Sequence, residues 1–527
     1  MLIDSRMTIA IASVLVAART YCMRAAIGAG LLVAVGFAPC RAQKRAFPEA
    51  QGGGAASVGG RGGVVKEITN LDDSGSGSFR SCVEASGPRT CVFRVAGIIT
   101  QHSDLTVNHP FLTIAGQTAP GEIILGGPGN KGFTLRVSTH DVVIRYITLS
   151  PDDFETPSGP STGTVGFGVI NGDNYNIIVD HVSSRWAGNK LWITASNYAG
   201  PNRLITTSWS LFYEPHAGHP VGPGTAGNPI GCPNAAPDPA LANPCFSSLE
   251  TDVDFHHNMF VNISHRIPET DNRSVRWVNN LTFNWAFYAF AGLGGEALDI
   301  VGNKWVRGNL NASSQAHEIH VTENSPEVLG NPSVFVSGNV GPNQSDPNGD
   351  QYLMVSHISG ENGRENGPIP DGWKRTAPLP ATNFPIIADP AASLDAILPP
   401  TVGNSQHLDC SGGWVNHRDD ADTRIIEQYQ SKGPGGFWPN GITATGKAAL
   451  PLPAPAPEWQ DRPVVNGAAC AESLHDGIPD QWKKLQGLST AKRDLYNSVA
   501  PDGYTVLEHY LNAIPMKPVH DKNGKRP

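Results

Sequence analysis

Residues 141–150, DVVIRYITLS, and residues 176–184, NIIVDHVSS, follow one pattern that decides the fold class. Each run is short, rich in β-branched and aromatic residues, and bounded by Gly, Asn, Asp or Pro, which is typical of a strand. Similar runs occupy 111–116, 203–213, 252–261, 274–283, 297–306 and 333–340. No amphipathic helix of useful length separates them, which disfavours βαβ units. The repeats therefore predict an all-β solenoid in which each coil covers the apolar face of its neighbour.

Asparagines lie in or close many of these strands. In a parallel β-helix, asparagines at bends can stack and bond each other's amides and backbone. The residues concerned are Asn258, Asn262, Asn279, Asn280, Asn303 and Asn339. Asn262 and Asn280 also fit the glycosylation sequon, but we interpret them as structural because both sit beside strand residues.

The composition supports a turn-rich protein with few long helices. The chain has 527 residues, with 58 Gly, 43 Pro and 16% charged residues. This length suits one large elongated domain with an appendage. A formal net charge of -9 argues against general nucleic-acid binding, although an acidic substrate is compatible with cations that are concentrated locally.

The N-terminus predicts secretion. Residues 1–42 form a leader whose real start we place at Met23, since an arginine and an apolar stretch follow it before a small-residue cleavage region. The stretch is too short for a typical membrane span, so we expect an extracellular or periplasmic monomer without a stable membrane anchor. A retained transmembrane anchor is the alternative.

Six cysteines remain after the leader, an even number that suits an oxidising compartment. Local spacing suggests the disulfides Cys82–Cys91, Cys232–Cys245 and Cys410–Cys470. Spacing alone does not prove these pairings, and free buried thiols are the alternative.

Three regions follow the leader in this interpretation. We expect a β-helix over 46–400, a Pro-rich tail or linker over 401–470, and a small module of two short helices over 471–515. Long loops at 151–166 and 214–252 interrupt the coils, and such loops on a rigid solenoid often carry binding.

One run gathers cations between two strand-like patches. Residues 264–280, SHRIPETDNRSVRWVNN, contain three arginines and one histidine. The simple alternative is that these arginines form surface ion pairs with Glu269 and Asp271.

Several phrases in a fixed order resemble secreted pectate lyases of polysaccharide lyase family 1. They are AFPEAQGGGAASVGGRGG at 46–63, ITNLDDSGSGSFR at 68–80, TIAGQTAPG at 113–121, IIVDHVSSRW at 177–186 and VRWVNNLTFNW at 275–285. The ending DGIPDQW…DGYTVLEHYLN resembles a small module attached to some bacterial members. The resemblance covers roughly residues 46 to 340 and implies a right-handed parallel β-helix with a cleft along one face. It also implies β-elimination of polygalacturonate, as pectate or as its methyl ester.

The resemblance implies roles for the cation run. Arg266-Ile267-Pro268 matches the family's Arg-x-Pro motif, whose arginine is assigned as the catalytic base, while Arg273 or Arg276 would hold a substrate carboxylate. Elimination removes the C5 proton of a uronic acid, and cations near its carboxyl group stabilise the charge that develops. A base role is unusual for arginine, which normally stays protonated. His265 is the alternative base, although strand alternation would place it on the face opposite Arg266.

The family's calcium site departs from its usual pattern. Phe167, Asn189 and Lys190 stand where the family carries acidic ligands. A hard cation needs several oxygen ligands, so we expect no metal there and no other cofactor. Either Lys190 replaces calcium and contacts the substrate directly, or the cleft has lost activity or accepts another polymer. Asp476, Asp480 and Asp502 are weaker C-terminal candidates for calcium.

Two other function classes stay open. A β-helix glycoside hydrolase would need two carboxylates, for which Asp152-Asp153 is the best local pair. A non-catalytic polysaccharide-binding protein would use aromatic stacking faces, and the candidates are Trp186, Trp192 and Trp285, unless they pack inside the coil. The pair Asp180-His181 is interpreted as structural. The histidines His216, His219, His256 and His257 give only a weak metal signal.

Overall fold

A computed structural model shows a solenoid of parallel strands. It describes residues 43–127, 132–151, 155–156, 159–160, 164–170, 173–195, 202–215, 221–223, 251–263, 265–285, 288–308, 317–323, 330–358, 365–432, 437–442, 450–453 and 462–516. The leader, Asp152-Asp153, His216, His219 and the pair Cys232–Cys245 lie outside these residues. Residues 44–527 form one compact unit.

Sheet 1 is the longest face of the solenoid. Its ten strands pair in parallel and in chain order, one strand from each coil. They are Val64–Ile68, Arg89–Phe93, Leu112–Ala115, Val142–Arg145, Tyr175–Asp180, Arg203–Ser208, Thr251–His256, Ser274–Val278, Ala297–Val301 and Ser333–Ser337. All eight runs identified in the sequence contribute a strand to this sheet, so the predicted parallel β-helix is confirmed.

Sheet 2 follows sheet 1 in each coil after a short bend. Its eight strands are only two to four residues long and also pair in parallel. They are Gly97–Thr100, Ile123–Gly126, Thr148–Leu149, Ser183–Arg185, Leu211–Tyr213, Met259–Val261, Leu281–Phe283 and Lys304–Val306.

Sheet 3 forms the third face and has two parts. Its first part has five parallel strands, Thr106–Val107, Phe133–Val137, Val165–Ile170, Lys190–Ala195 and Val221–Pro223. Its second part has Glu269–Thr270, Phe290–Leu293, Ile319–Thr322 and Val355–Ile358, and closes with the antiparallel strand Glu365–Gly367. Val221–Pro223 contacts Glu269–Thr270, so the two parts continue one face.

The bends that flank sheet 2 use residues in the left-handed region. Five coils have such a non-glycine residue at the bend that leaves sheet 1, and four have one at the bend that leaves sheet 2. The first row is Tyr146, His181, Trp209, His257 and Asn279, and the second is Trp186, Glu214, Asn262 and Asn284. In the first row neighbouring rings stack, as between Trp209 and His257 at 4.6 Å. The residues of these two rows turn the chain sharply, so that it passes from one sheet to the next after each short strand.

An asparagine ladder runs beside the first of these rows. Asn258 Nδ2 donates to Asn280 Oδ1 at 2.9 Å, and Asn303 Nδ2 donates to Asn339 Oδ1 at 2.9 Å. Asn280 Nδ2 links the two pairs through Asn303 Oδ1 at 3.3 Å. The predicted stacking of these four asparagines is confirmed. The sequon residues Asn262 and Asn280 are buried and hydrogen-bonded, as expected of structural residues.

Helices are short and lie between the strands or after the coils. The described α-helices are Phe79–Val83, Leu394–Ile397, Asp420–Ser431, Asp480–Leu485 and Val506–Leu511. The described 3₁₀ helices are Gly53–Ala56, Gly116–Thr118, Gln351–Met354, Asp371–Trp373, Ala391–Ser393 and Arg493–Asn497. Hairpins join Glu155–Thr156 to Gly159–Pro160, Gln406–Leu408 to Trp414–Asn416, and Phe437–Ile442 to Leu450–Pro453. Among the described residues, no helix is long and apolar enough to cross a membrane.

The chain after the coils folds back onto the solenoid. Arg185 of sheet 2 forms buried ion pairs with Asp419 and Asp422 of the segment expected as a linker, and Cys410 is bonded to Cys470. The two helices expected near the C-terminus are present as Asp480–Leu485 and Val506–Leu511. The disulfides Cys82–Cys91 and Cys410–Cys470 are confirmed. The boundaries at residues 400 and 470 stay predictions.

Candidate functional site

Arg266 lies at a bend that leads into the second part of sheet 3. Its φ is 60°, a conformation uncommon for a residue with a Cβ, and the Ile267–Pro268 peptide that follows is cis. Ile267 is buried in the main core, and strand Glu269–Thr270 begins directly after Pro268. The bend thus fixes the arginine at the edge of the sheet, and the side chain of Arg266 is only 9% exposed.

Two buried side chains hold the Arg266 guanidinium. Arg266 Nη1 lies 3.0 Å from Glu269 Oε1, and the Tyr288 hydroxyl donates to Glu269 Oε2 at 2.8 Å. Tyr288 also hydrogen-bonds Arg266. Burial and the Glu269 carboxylate raise the pKa of Tyr288 well above its usual value, whereas Arg266 lowers it. The expected pairing of an arginine with Glu269 is therefore present, but it is a buried ion pair and not a surface one.

His265 does not lie across the core from Arg266. Its ring meets the Tyr288 ring edge-on, with centroids 5.5 Å apart, and Tyr288 also contacts Arg266. The strand alternation assumed for His265 and Arg266 does not apply, because both residues lie between strands Met259–Val261 and Glu269–Thr270.

Glu296 anchors the segment that follows Arg266. Its carboxyl oxygens accept hydrogen bonds from Thr270 Oγ1 at 2.7 Å and from the backbone N–H of Asn272 at 3.1 Å. The Leu293 N–H donates to it at 2.8 Å. Burial raises the pKa of Glu296 to about 8, although these donors lower it. Glu296 therefore holds residues 270–272 through hydrogen bonds. With this raised pKa, its carboxyl group is largely protonated at neutral pH.

Lys190 lies in sheet 3, the sheet into which the Arg266 bend leads. It begins strand Lys190–Ala195, is 5% exposed, and its Nζ lies 3.4 Å from Asn189 Oδ1. Strand Val221–Pro223 separates its strand from the one that follows Arg266. The structure therefore places Lys190 and Arg266 on one sheet, two coils apart.

The two other candidate arginines are placed differently. Arg276 lies in sheet 1, where Nη1 binds Asp252 Oδ1 at 2.7 Å and Asp254 Oδ1 at 3.1 Å. Its Nη2 donates to the carbonyl of Pro380 at 2.6 Å. Arg273 is exposed, just before strand Ser274–Val278 of sheet 1. Neither stands in the strand that Arg266 introduces, so their roles in substrate binding stay predictions.

Phe167 points into the core. It is 1% exposed and packs against Trp192, with ring centroids 6.1 Å apart, and Trp192 in turn contacts Phe255 of sheet 1. A side chain in that position does not reach the outer face of sheet 3. The two flanking residues, Gly166 and Gly168, have no side chain. Together with Asn189 and Lys190, this arrangement does not fit the acidic ligand set that calcium requires.

The C-terminal acids each have another partner. Asp476 Oδ1 lies 2.8 Å from Lys483 Nζ in a fully buried ion pair. Asp480 accepts from Ser473 Oγ at 2.6 Å, and Asp502 pairs with His509. Throughout the described residues, no group of three or more His, Cys, Asp or Glu side chains is arranged to hold a metal ion.

Asp180 joins three consecutive coils. It accepts from Arg145 Nε at 2.8 Å in the preceding coil and from Ser208 Oγ at 2.7 Å in the next. His181 Nδ1 lies 2.8 Å from the same carboxylate. Burial alone would raise the pKa of Asp180, but His181 and Arg145 lower it well below the usual range. These contacts are those of a structural tie between coils.

The three tryptophans considered as stacking faces are all internal. Trp186, Trp192 and Trp285 are at most 2% exposed. Their role as sugar-stacking platforms is therefore contradicted, because their faces are already packed against other side chains. His256 is also buried, and desolvation lowers its pKa to about 3, so it is neutral.

Sequence reasoning missed Tyr288, which contacts Arg266, and Glu296, which holds the segment after it. They lie 22 and 30 residues after Arg266, and the coil length brings them close to this segment. Glu269 was seen only as a surface partner. Knowledge of the coil register would have identified these residues, since residues one coil apart are neighbours in a solenoid.

The chain is a parallel β-helix with a buried arginine where the second part of sheet 3 begins, and its sequence is similar to proteins named as pectate lyases. Curated fungal relatives named probable pectate lyase C match nearly the whole chain. The Aspergillus fumigatus protein is 27% identical over 487 residues, 90% of this chain and 95% of the relative. The Aspergillus terreus protein is 25% identical over 507 residues, 94% of this chain and 100% of the relative. These relatives confirm the likeness to pectate lyases that the ordered phrases predicted.

Two solved structures share less of the sequence. The major allergen from cedar pollen has 17% identity and a TM-score of 0.47, over 67% of this chain and 92% of that chain. A pectate lyase from Bacillus sp. N165, solved in complex with trigalacturonate, has 17% identity and a TM-score of 0.41, over 67% of this chain and 98% of that chain. No family model matches the sequence.

Proposed function

We propose that the protein is a secreted lyase that cleaves polygalacturonate by β-elimination. The main support is the position of Arg266, which matches the Arg-x-Pro motif. A buried carboxylate and a tyrosine hold its side chain at the edge of sheet 3. The near full-length similarity to probable pectate lyases supports the substrate class. No described residue favours a hydrolase or a purely binding role.

The chemistry requires positive charge beside a uronate carboxylate. When a base takes the C5 proton, the electron pair of that C–H bond moves onto the carboxylate as an enolate-like intermediate. The pair then forms the C4–C5 double bond as the C4–O bond breaks, and the leaving oxygen takes up a proton to become a hydroxyl. A preorganised guanidinium lowers the energy of this intermediate more than that of the ground state, which is the condition for catalysis.

The Glu269 carboxylate favours a role for Arg266 as a positively charged group. A neighbouring carboxylate favours the charged form of a guanidinium, and Glu269 lies 3.0 Å from it. We therefore assign Arg266 the role of a cation that grips the substrate carboxylate and stabilises the intermediate. Lys190, two coils away on the same sheet, would contact another carboxylate of the same polymer. The base role implied by the resemblance stays a prediction.

Replacement of Arg266 tests the proposal. We expect Arg266→Ala to lower kcat by roughly 10²- to 10³-fold, as for the loss of one preorganised donor. Arg266→Lys keeps the charge without the planar fork and should retain more activity. The measurement is the growth of ultraviolet absorbance from 4,5-unsaturated uronate on polygalacturonate and on its methyl ester. Reactions with and without chelator show whether calcium is needed.

Arg493→Ala is the charge-matched control, because Arg493 is exposed and lies in the C-terminal part. Thermal melting of each variant separates loss of activity from loss of fold. Full activity of a folded Arg266→Ala variant on both polymers would refute the role of Arg266. New reducing ends without unsaturated product in the wild type would instead indicate a hydrolase.

A further inference from the structure

We propose that Arg136 forms a distal subsite that binds a uronate carboxylate of the polymer remote from the cleaved bond. This inference rests on the proposed function, because it takes polygalacturonate as the ligand. Arg136 lies in strand Phe133–Val137 of sheet 3, four strands before the one that Arg266 introduces.

The side chain of Arg136 is on the outer face of sheet 3. Its neighbours Leu135 and Val137 are fully buried in the main core, so alternation directs Arg136 outward. Its register partner Gly168 pairs in turn with Ile193 of the Lys190 strand. Arg136 is half-buried, whereas both core neighbours are at 0% exposure.

The guanidinium of Arg136 is held in place without a charge partner. Nε donates to Thr106 Oγ1 at 3.2 Å, and Cζ lies 5.6 Å from the centroid of the Phe133 ring. No carboxylate of the described part of the chain forms an ion pair with it. The nearby Asp104 instead accepts from the backbone N–H of Phe133 at 3.0 Å and from that of Gly132 at 3.2 Å.

Three other arginines of the solenoid differ in this respect. Arg145, Arg185 and Arg276 each bind a carboxylate, at distances of 2.6–2.8 Å for their shortest ion pairs. A partly buried guanidinium loses hydration, and a carboxylate is the partner that best restores its hydrogen bonds. Arg136 is thus oriented by Thr106 and Phe133 while its terminal nitrogens stay available for an anion.

The spacing of Arg136, Lys190 and Arg266 along the solenoid suits a polymeric substrate. Parallel strands lie about 4.8 Å apart, so Arg136 and Arg266 are separated by roughly 19 Å along the face. Lys190 lies two strands from each of their strands. Three cations at two-coil intervals on one sheet form a track for a chain with regularly spaced carboxylates. A short oligomer bound at Arg266 would not reach Arg136.

The test compares long and short substrates. We expect Arg136→Met, which keeps an apolar stem on Phe133 but removes the charge, to raise KM for polygalacturonate by about tenfold, equivalent to about 1.4 kcal/mol. kcat should stay unchanged, and kinetics on trigalacturonate should not change. Arg136→Lys should restore most of the affinity for the polymer. Arg203→Ala is the matched control, because Arg203 is a sheet 1 arginine stacked on Tyr175 at 4.4 Å.

A direct measurement of binding tests the distal subsite independently of the proposed lyase activity. Calorimetry with polygalacturonate fragments of about ten residues gives Kd for the wild type, Arg136→Met and Arg203→Ala. An unchanged KM and Kd in Arg136→Met, with product still formed, would overturn the distal subsite alone. Wild-type binding that weakens in Arg136→Met without any unsaturated product would support the subsite and refute the lyase activity. Failure of the wild type to bind the fragments would overturn both.

Discussion

Glu296 shows how a single buried acid can support the candidate site. It contacts no expected substrate atom, but it holds Thr270 and the backbone of Asn272 just after the Arg266 bend. Its pKa is raised from 4.5 to about 8, mainly because the side chain is buried. A carboxyl group with a raised pKa contributes stability that is complete below pH 4.5 and is lost as the pH rises through about 8.

Glu296→Gln tests this account. The amide cannot ionise, but its NH₂ replaces one of the two accepting oxygens, so one of the Asn272 and Leu293 N–H groups loses its acceptor, which costs roughly 1–3 kcal/mol. The variant should therefore be less stable than the wild type at pH 5. Because the wild type loses up to about 1.4 kcal/mol per pH unit over this range, the stability gap should narrow as the pH rises and reverse in sign by pH 8. Denaturant midpoints at pH 5, 6.5 and 8 measure it, and a constant gap would contradict the assigned protonation.

At the scale of the elements, the asparagine ladder stabilises the bend between sheets 1 and 2. Asn280 is its most connected member. Its Oδ1 accepts from the Asn258 N–H at 3.1 Å, and its Nδ2 donates to the Phe255 carbonyl at 3.0 Å. Each asparagine thereby satisfies backbone groups that the bend leaves without strand partners.

Asn280→Ala should destabilise the fold by roughly 2–4 kcal/mol, because it leaves a buried N–H and a buried carbonyl without partners. Asn348→Ala is the control, since Asn348 is exposed. Thermal and denaturant unfolding measure the difference. Equal stability of the two variants would show that water or relaxation replaces the ladder.

The alternation of apolar residues in strands and the asparagines at bends made part of these elements predictable from the sequence. The strands of sheet 1 and the ladder follow from local patterns, since period two and asparagine at bends depend on neighbours in the chain. The orientation of Phe167 and the position of His265 could not be predicted in this way, because left-handed residues such as Arg266 and Trp186 shift the alternation at each bend. The partners of Arg266 depend on coil length, which a single repeat does not reveal.

At the scale of the whole molecule, the C-terminal helices are part of the solenoid surface. Trp482, Leu507 and Tyr510 form an apolar cluster with Ala115 and Leu408. Polar contacts surround the cluster, among them Arg61 Nε to Glu508 Oε1 at 2.7 Å and Arg145 Nη1 to Asn512 Oδ1 at 2.9 Å. The module covers coils near the start of the solenoid, and its contacts do not involve Arg266 or Glu269.

Trp482→Ala should release this module without unfolding the coils. Trp482 is 2% exposed and its ring contacts Tyr510, with centroids 5.8 Å apart, so truncation removes about 3–5 kcal/mol of packing. Limited proteolysis should then cut within residues 471–516, whereas the rate on polygalacturonate should stay at the wild-type value at low temperature. Leu485→Ala is the control, because Leu485 is in the same helix but 62% exposed. A loss of lyase rate together with a loss of module protection would instead show that the module supports the cleft.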